Sequence, residues 1–259
     1  MAYTVRYLDE GSGEPIVILP GGMNDPGDWK AVAARLTARF RVVRVHRRQY
    51  RTDQDFGRPV TMADEVEDVL AVTKEIGRPV LLVGHSSGAV LALEALVAAP
   101  ERFAGAVLYE PPVVVGEPLG GEALERARAA VAAGKPGKAL EIFLRDIVRM
   151  PAWLAVLARL AVLIVRTLRP RVARQIDDAD AIDALGVRLD AYAQLQIPAV
   201  LLRGDRSPDH LRERTEALAR VLPRVERVVV LPGQAHGAND RAPAKVARVI
   251  EDFAGKLFG

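Results

Sequence analysis

The stretch "LLVGHSSGAV" (residues 81–90) decides how the rest of the chain is read. Three aliphatic residues run into Gly84, His85, Ser86, Ser87 and Gly88, after which an apolar run resumes. A strand that stops on one glycine and gives way to a helix at the next leaves Ser86 on a tight turn. The G-x-S-x-G spacing lifts such a serine hydroxyl above the strand end, keeps bulky neighbours away, and faces the first amides of the following helix toward it. The bare pattern arises by chance in roughly one chain of this length in ten, so its setting carries the argument. Here the apolar "RPVLLVG" (78–84) precedes it and the helical "GAVLALEALVAAP" (88–100) follows. Ser86 is therefore the candidate nucleophile.

Outward from this turn the chain alternates short apolar runs with helical stretches. "PIVILP" (15–20), "FRVVRVH" (40–46), "RPVLLVG" (78–84) and "GAVLYE" (105–110) read as strands, and "TVRYLDEGSGEP" as an edge strand and turn. Strands so uniformly apolar are covered on both faces, which predicts an α/β fold with a doubly wound, mostly parallel sheet. From 112 to 190 only helical segments follow one another, including a continuous "PAWLAVLARLAVLIVRTL" (151–168), punctuated by Pro136, Pro151, Pro170 and Gly186. "IPAVLLRG" (197–204) and "VERVVVLPG" (225–233) then restore the strands. The reading is a core domain of residues 1–111 and 191–259, interrupted by a helical cap insertion at 112–190.

A serine hydroxyl is a poor nucleophile until a base takes its proton. His236, in "VVVLPGQAHGAND" (228–240), follows the last strand on a glycine-bearing loop and suits that role. His46 and His210 read as structural or surface residues, and His85, beside the nucleophile, as a wall of the substrate pocket. Negative charge developing on a carbonyl oxygen needs preorganised donors. "ILPGGMND" (18–25) supplies the turn for them, and the backbone amides of Ser87 and Gly22 are the expected oxyanion hole, with Met23 as the alternative to Gly22.

The elbow, the glycine turn and the late histidine together resemble a small bacterial serine hydrolase of the α/β-hydrolase superfamily, and the resemblance spans both sheet-forming parts of the chain. It implies hydrolysis through an acyl-enzyme, and it implies an acid that orients His236. In the commonest family pattern that acid lies just beyond "IPAVLLRG", where this chain has Ser207, with Asp205 close by in "GDRSPDH". Some members place it at the end of the strand beside the nucleophile strand, where "LYEPP" offers Glu110 before two prolines that fix the exit of the chain. Glu110 is favoured and Asp205 is the alternative. Two further departures stand out: Pro20-Gly21 replaces the usual His-Gly, and "VHRRQYRTDQD" (45–55) lacks the family's aspartate and glycines.

The insertion's apolar helix, with Trp153 as a candidate pocket residue, points to a small hydrophobic ester, lactone or thioester as substrate. The same fold and triad also serve carbon–carbon hydrolases, hydroxynitrile lyases and cofactor-free haloperoxidases, and a ligand-binding scaffold without turnover is the reading from another class. Net charge is +3, but arginines interleave with acids as in "LRERTEALAR" (211–220), so no nucleic-acid partner is expected. No cysteine is present and the four histidines are scattered, so neither metal nor cofactor is expected. The N-terminus carries no signal-like apolar segment, and "AWLAVLARLAVLIV" (152–165) is too short to span a bilayer. A cytoplasmic protein with no membrane partner is expected, and a homodimer is among the assemblies the sequence allows.

Overall fold

Successive residues of the central strands point to opposite faces of a sheet, and in this chain both faces are apolar. The computed structural model describes residues 3–259. Seven strands form one sheet in the order β1-β3-β2-β4-β5-β6-β7. β1 (Arg6–Glu10) runs antiparallel to β3 (Phe40–His46), and β2 (Glu14–Leu19), β3, β4 (Val80–His85), β5 (Phe103–Tyr109), β6 (Ala199–Gly204) and β7 (Val225–Leu231) are mutually parallel. Val17, Leu19, Leu82, Leu108 and Leu201 belong to one hydrophobic core. Their neighbours Ile16, Ile18, Leu81, Val83, Val107 and Leu202 belong to the other. Each such leucine, fully buried, contributes enough that truncation to alanine costs about 2–5 kcal/mol.

The crossovers supply the covering helices. α1 (Lys30–Leu36), α2 (Met62–Ile76) and α3 (Ser87–Ala98) alternate with the first parallel strands. α2 starts at a capping box, in which the Thr61 side chain accepts from the Asp64 amide and Asp64 accepts from the Thr61 amide. It stops at Gly77, whose φ of 77° a side chain would strain. Between β5 and β6 lie α4 (Gly121–Ala132), α5 (Pro136–Ile142), α6 (Ala152–Ile164), α7 (Leu168–Leu185) and α8 (Leu189–Tyr192). These helices build a third core from Leu124, Ala127, Leu140, Phe143, Val172 and Ile176, against which Met23 packs. α9 (Asp209–Val221), α10 (Ala238–Arg241) and α11 (Pro243–Phe258) complete the chain.

One expectation from the sequence needs correction. The run 151–168 is not one helix: α6 ends at Ile164, and α7 begins at Leu168, ahead of Pro170 rather than after it. Proline fits there because the amides of a first helical turn have no intrahelical acceptor to lose. Unlike the central strands, β7 is not covered on both faces: its residues alternate between partly buried and exposed as far as the buried Leu231. It is the edge of the sheet, and one side of it meets solvent.

Candidate active site

Every candidate group except Trp153 sits at the carboxyl ends of the parallel strands, where open α/β sheets gather their ligand sites. Ser86 follows β4 with φ 52° and ψ −127°, a left-handed conformation that costs a non-glycine residue about 1–3 kcal/mol. The flanking glycines are what make so sharp a turn fit. A Cβ on Gly84 would lie 2.5 Å from the Ala89 Cα, and one on Gly88 would lie 2.4 Å from the carbonyl oxygens of Leu19 and Pro20. The helix after the turn therefore presses against the ends of β4 and β2, and among the described residues the amides of Ser87 and Gly88 have no hydrogen-bond acceptor.

Glu110 follows β5 in a second left-handed bend, with φ 46°. Its carboxylate is fully buried. Oε1 accepts the Gly204 amide at 2.7 Å, and Oε2 lies 2.5 Å from Nδ1 of His236. A carboxylate at Nδ1 holds that proton and leaves Nε2 free to accept another. Asp205 points elsewhere: its Oδ1 accepts the Gly233 amide at 2.8 Å and so closes the loop ahead of His236. Among the described residues the Ser86 hydroxyl makes no hydrogen bond, and Ser86 and His236 together line two spaces, one on either side. Such contacts commonly tighten only when substrate binds.

The loop bearing His236 is pinned from below. The Tyr109 hydroxyl donates to the Ala235 carbonyl at 2.7 Å and accepts the Ala238 amide at 3.0 Å, bracketing the histidine. Nε2 of His85 donates to the His236 carbonyl at 2.9 Å, and its ring stacks on Tyr109 with centroids 4.6 Å apart. Burial holds the His85 imidazole well below its ordinary pKa, aided by the nearby His236, so it stays neutral. His85 thus lies under the site and borders only its polar side. Tyr109 was not singled out in the sequence, although its place beside Glu110 in "LYEPP" was a usable signal.

The space on the cap side is apolar and narrow, about 50 Å³, lined by Pro112, Leu119, Phe143, Ile147, Ile182 and Leu211 besides Ser86 and His236. The other is a polar cleft of about 310 Å³, bordered by Gly22, Asn24, Asp28, Asn239 and Arg241. Trp153 lines neither; the structure corrects that expectation by placing it on the outside of α6, 64% exposed, because the small Ala155 and Val162 are the residues that pack inward. Gly22 and Met23 lie on the turn after β2, Met23 with φ 59°, and among the described residues their amides make no hydrogen bond. A Cβ on Gly22 would fall 2.0 Å from Oε1 of Gln175 on α7, so a side chain there would have to displace the end of Gln175.

Where the family aspartate and glycines are missing, the chain has built an ion network. Arg47 is 2% exposed and grips Glu65 through Nε at 3.1 Å and Nη2 at 2.5 Å. It also reaches Asp178 of α7 at 2.8 Å and donates to the Ser87 hydroxyl at 2.7 Å. The Tyr50 hydroxyl donates to Asp178 at 2.7 Å and lies 3.1 Å from Oε1 of Gln175. Burial opposes the Arg47 charge, but Asp178 and Glu65 more than restore it. Burial pushes the Glu65 carboxyl up, against the pull of Arg47. One guanidinium thus joins the cap to the residue after the elbow serine.

A twisted parallel sheet with a sharp serine turn, a carboxylate-bound histidine and a helical layer over both defines the class of α/β hydrolases. The chain belongs to the alpha/beta hydrolase family, whose profile matches residues 16–249. It is similar to an alpha/beta hydrolase from Sphaerobacter thermophilus, at 27% identity over 96% of this chain and 95% of that one, with a TM-score of 0.82. A thermophilic esterase from Thermogutta terrifontis is 22% identical over 98% and 94% of the two chains, with a TM-score of 0.77. A meta-cleavage product hydrolase, CumD, is 18% identical over 97% and 94%, with a TM-score of 0.71. Below 25% identity the likeness is one of fold. Among the described residues no group of three or more His, Asp or Glu side chains converges as a metal site would, and no helix is long and apolar enough to cross a membrane.

Proposed function

We propose that the protein is a serine hydrolase that cleaves an ester, lactone or thioester of a small hydrophobic substrate through an acyl-enzyme. The observation that carries this reading is the 2.5 Å contact of the buried Glu110 carboxylate with His236 Nδ1, beside a strained Ser86 that shares a cavity with the same histidine. Ser86 Oγ attacks the acyl carbonyl while His236 Nε2 takes its proton, and Glu110 stabilises the imidazolium that forms. The amides of Ser87 and of Gly22 or Met23 receive the developing oxyanion. His236 then protonates the departing alkoxide, and a water, deprotonated by the same nitrogen, releases the acyl group.

The two spaces divide the substrate. The narrow apolar cavity suits a short acyl chain, and the polar cleft takes the alcohol and admits water. The test is labelling with a fluorophosphonate followed by peptide mass spectrometry, with a p-nitrophenyl ester series from acetate to decanoate. Ser86 is expected to carry the label, S86A to carry none, and turnover to fall beyond short acyl chains. A wild-type chain that takes no label at Ser86 refutes the enzyme reading. Labelling without turnover of any ester, but with hydrolysis of a vinylogous diketone, replaces ester chemistry with carbon–carbon cleavage.

A further inference from the structure

The cap's outer helix presents an apolar face that nothing among the described residues covers. Trp153, Val156, Leu157, Leu160, Leu163 and Ile164 of α6 are all exposed, Ile164 by 80%. Their spacing of three and four residues places them on one side of the helix. An unbroken stripe of this kind marks an interaction surface. The charge around it selects the partner. From Ile147 to Ile176 the sequence has arginines at 149, 159, 166, 169, 171 and 174 and no Asp or Glu. Arg159 pairs with Glu141 and Arg171 with Asp25. Arg149 and Arg166, exposed just beyond the two ends of α6, have no carboxylate within 4 Å among the described residues. Arg169 spends its guanidinium on the carbonyls of Val162 and Leu163 at the helix end.

We propose that α6 is an interfacial helix that docks the protein on an anionic lipid surface, with the Trp153–Ile164 stripe in the acyl–headgroup boundary and Arg149 and Arg166 on the lipid headgroups. At 1.5 Å per residue a helix of this length is about 20 Å long, against a hydrocarbon core of about 30 Å, so it lies in the interface and does not cross it. Tryptophan is the side chain that favours that depth. A second copy of the chain fits less well: a two-fold pairing of α6 sets arginines against arginines in either direction, with no acid on the segment to answer them. Docking reverses the expectation, drawn from the sequence, that no membrane partner exists. It also sets Ile147 and Val148, which line the apolar cavity and directly precede Arg149, near the bilayer. The inference concerns binding alone and stands whether or not Ser86 acts on esters.

The experiment is co-sedimentation of the full chain with vesicles of equimolar phosphatidylglycerol and phosphatidylethanolamine, against vesicles of phosphatidylcholine. Binding is expected to the first, at least tenfold weaker at 0.5 M NaCl than at low salt. Trp29 is fully buried, so a blue shift of emission on binding reports Trp153. L160E/I164E is expected to lose at least tenfold in vesicle affinity, and R149Q/R166Q about tenfold or more. Both variants alter exposed positions and should keep the wild-type turnover of a water-soluble ester and the wild-type melting temperature. The proposal is overturned if the wild-type chain does not sediment with the anionic vesicles, or if L160E/I164E sediments equally well. It is also overturned if the wild-type chain is a dimer that ignores vesicles and L160E/I164E makes it monomeric.

Discussion

Replacing Glu110 by glutamine tests the site at the point where its geometry is most specific. The Glu110 carboxylate has two occupied oxygens: Oε1 takes the Gly204 amide and Oε2 faces His236 Nδ1. A glutamine in the same place must turn its carbonyl oxygen to the Gly204 N–H, because two donors cannot face each other. Its NH₂ group then points at His236 Nδ1, which has to accept. The imidazole proton moves to Nε2, the nitrogen that should receive the Ser86 proton, and the base is lost without any change of shape. The analogous tautomer inversion in a serine protease costs roughly 10⁴-fold in kcat, equivalent to about 5.4 kcal/mol of barrier. E110Q is therefore expected to lose about 10³–10⁴-fold in kcat on p-nitrophenyl acetate and a similar factor in the rate of fluorophosphonate labelling, with little change in KM. D205N is the matched control, since an asparagine Oδ1 still accepts the Gly233 amide, and it should retain near-wild-type turnover. Melting curves of both variants exclude unfolding as the cause. E110Q with wild-type turnover, or a comparable loss confined to D205N, refutes the assignment.

Asp178→Ala withdraws one of the two carboxylates that neutralise the buried Arg47 and removes the acceptor of the Tyr50 hydroxyl. Because Glu65 remains, the expected cost is about 3 kcal/mol, the lower end for a broken buried pair, and a melting temperature about 6–12 °C lower by thermal denaturation; an unchanged melting temperature would show that the network does not hold the cap. His210 is buried, and burial together with Arg214 and Arg149 pushes its pKa down to about 4. The unfolded chain, with a histidine pKa near 6.5, binds that proton first as pH falls. This contribution is thus complete above about pH 6.5 and is lost as pH drops toward 4. H210Q should lose less melting temperature than the wild-type chain between pH 7 and pH 4.5, and equal losses would contradict the buried neutral state.

The central strands were legible because burial on both faces forces continuous apolar runs, and each run expected from the sequence overlaps a strand of the sheet. The elbow was legible for a related reason: a Cβ on Gly84 or Gly88 would lie 2.4–2.6 Å from backbone atoms, and only glycine tolerates that approach. The break between α6 and α7 was hidden because proline signals a boundary without saying on which side of it the helix begins. The Arg47 network was beyond reach, since Arg47 and Asp178 are 131 residues apart and "HRRQY" reads locally as a solvated basic loop. Gly22 shows the same limit. The side chain that packs against it, Gln175, belongs to an insertion whose docking no local pattern announces.

The position of the acid follows from how the chain crosses the sheet. His85 pairs with Tyr109 across β4 and β5, so Ser86 and Glu110 are the residues that directly follow two adjacent strand ends. Each turns up through a left-handed bend. His236 arrives from the far side, on the loop after β7, and must pass over the end of β6 to reach them. Gly204 opens that path: a Cβ there would lie 2.3 Å from the Gln234 carbonyl oxygen. The loop thus lies directly on the end of β6, where the Gly204 amide is taken by Glu110 and the Arg206 amide by Gln234. An acid just after β6 is left beside the base of this loop, which is where Asp205 holds Gly233. An acid at the end of β5 stands beyond the crossing, level with the elbow, and meets the imidazole as it comes over. In this chain the loop whose crossing requires glycine at 204 meets its carboxylate one strand inward of β6, at Glu110.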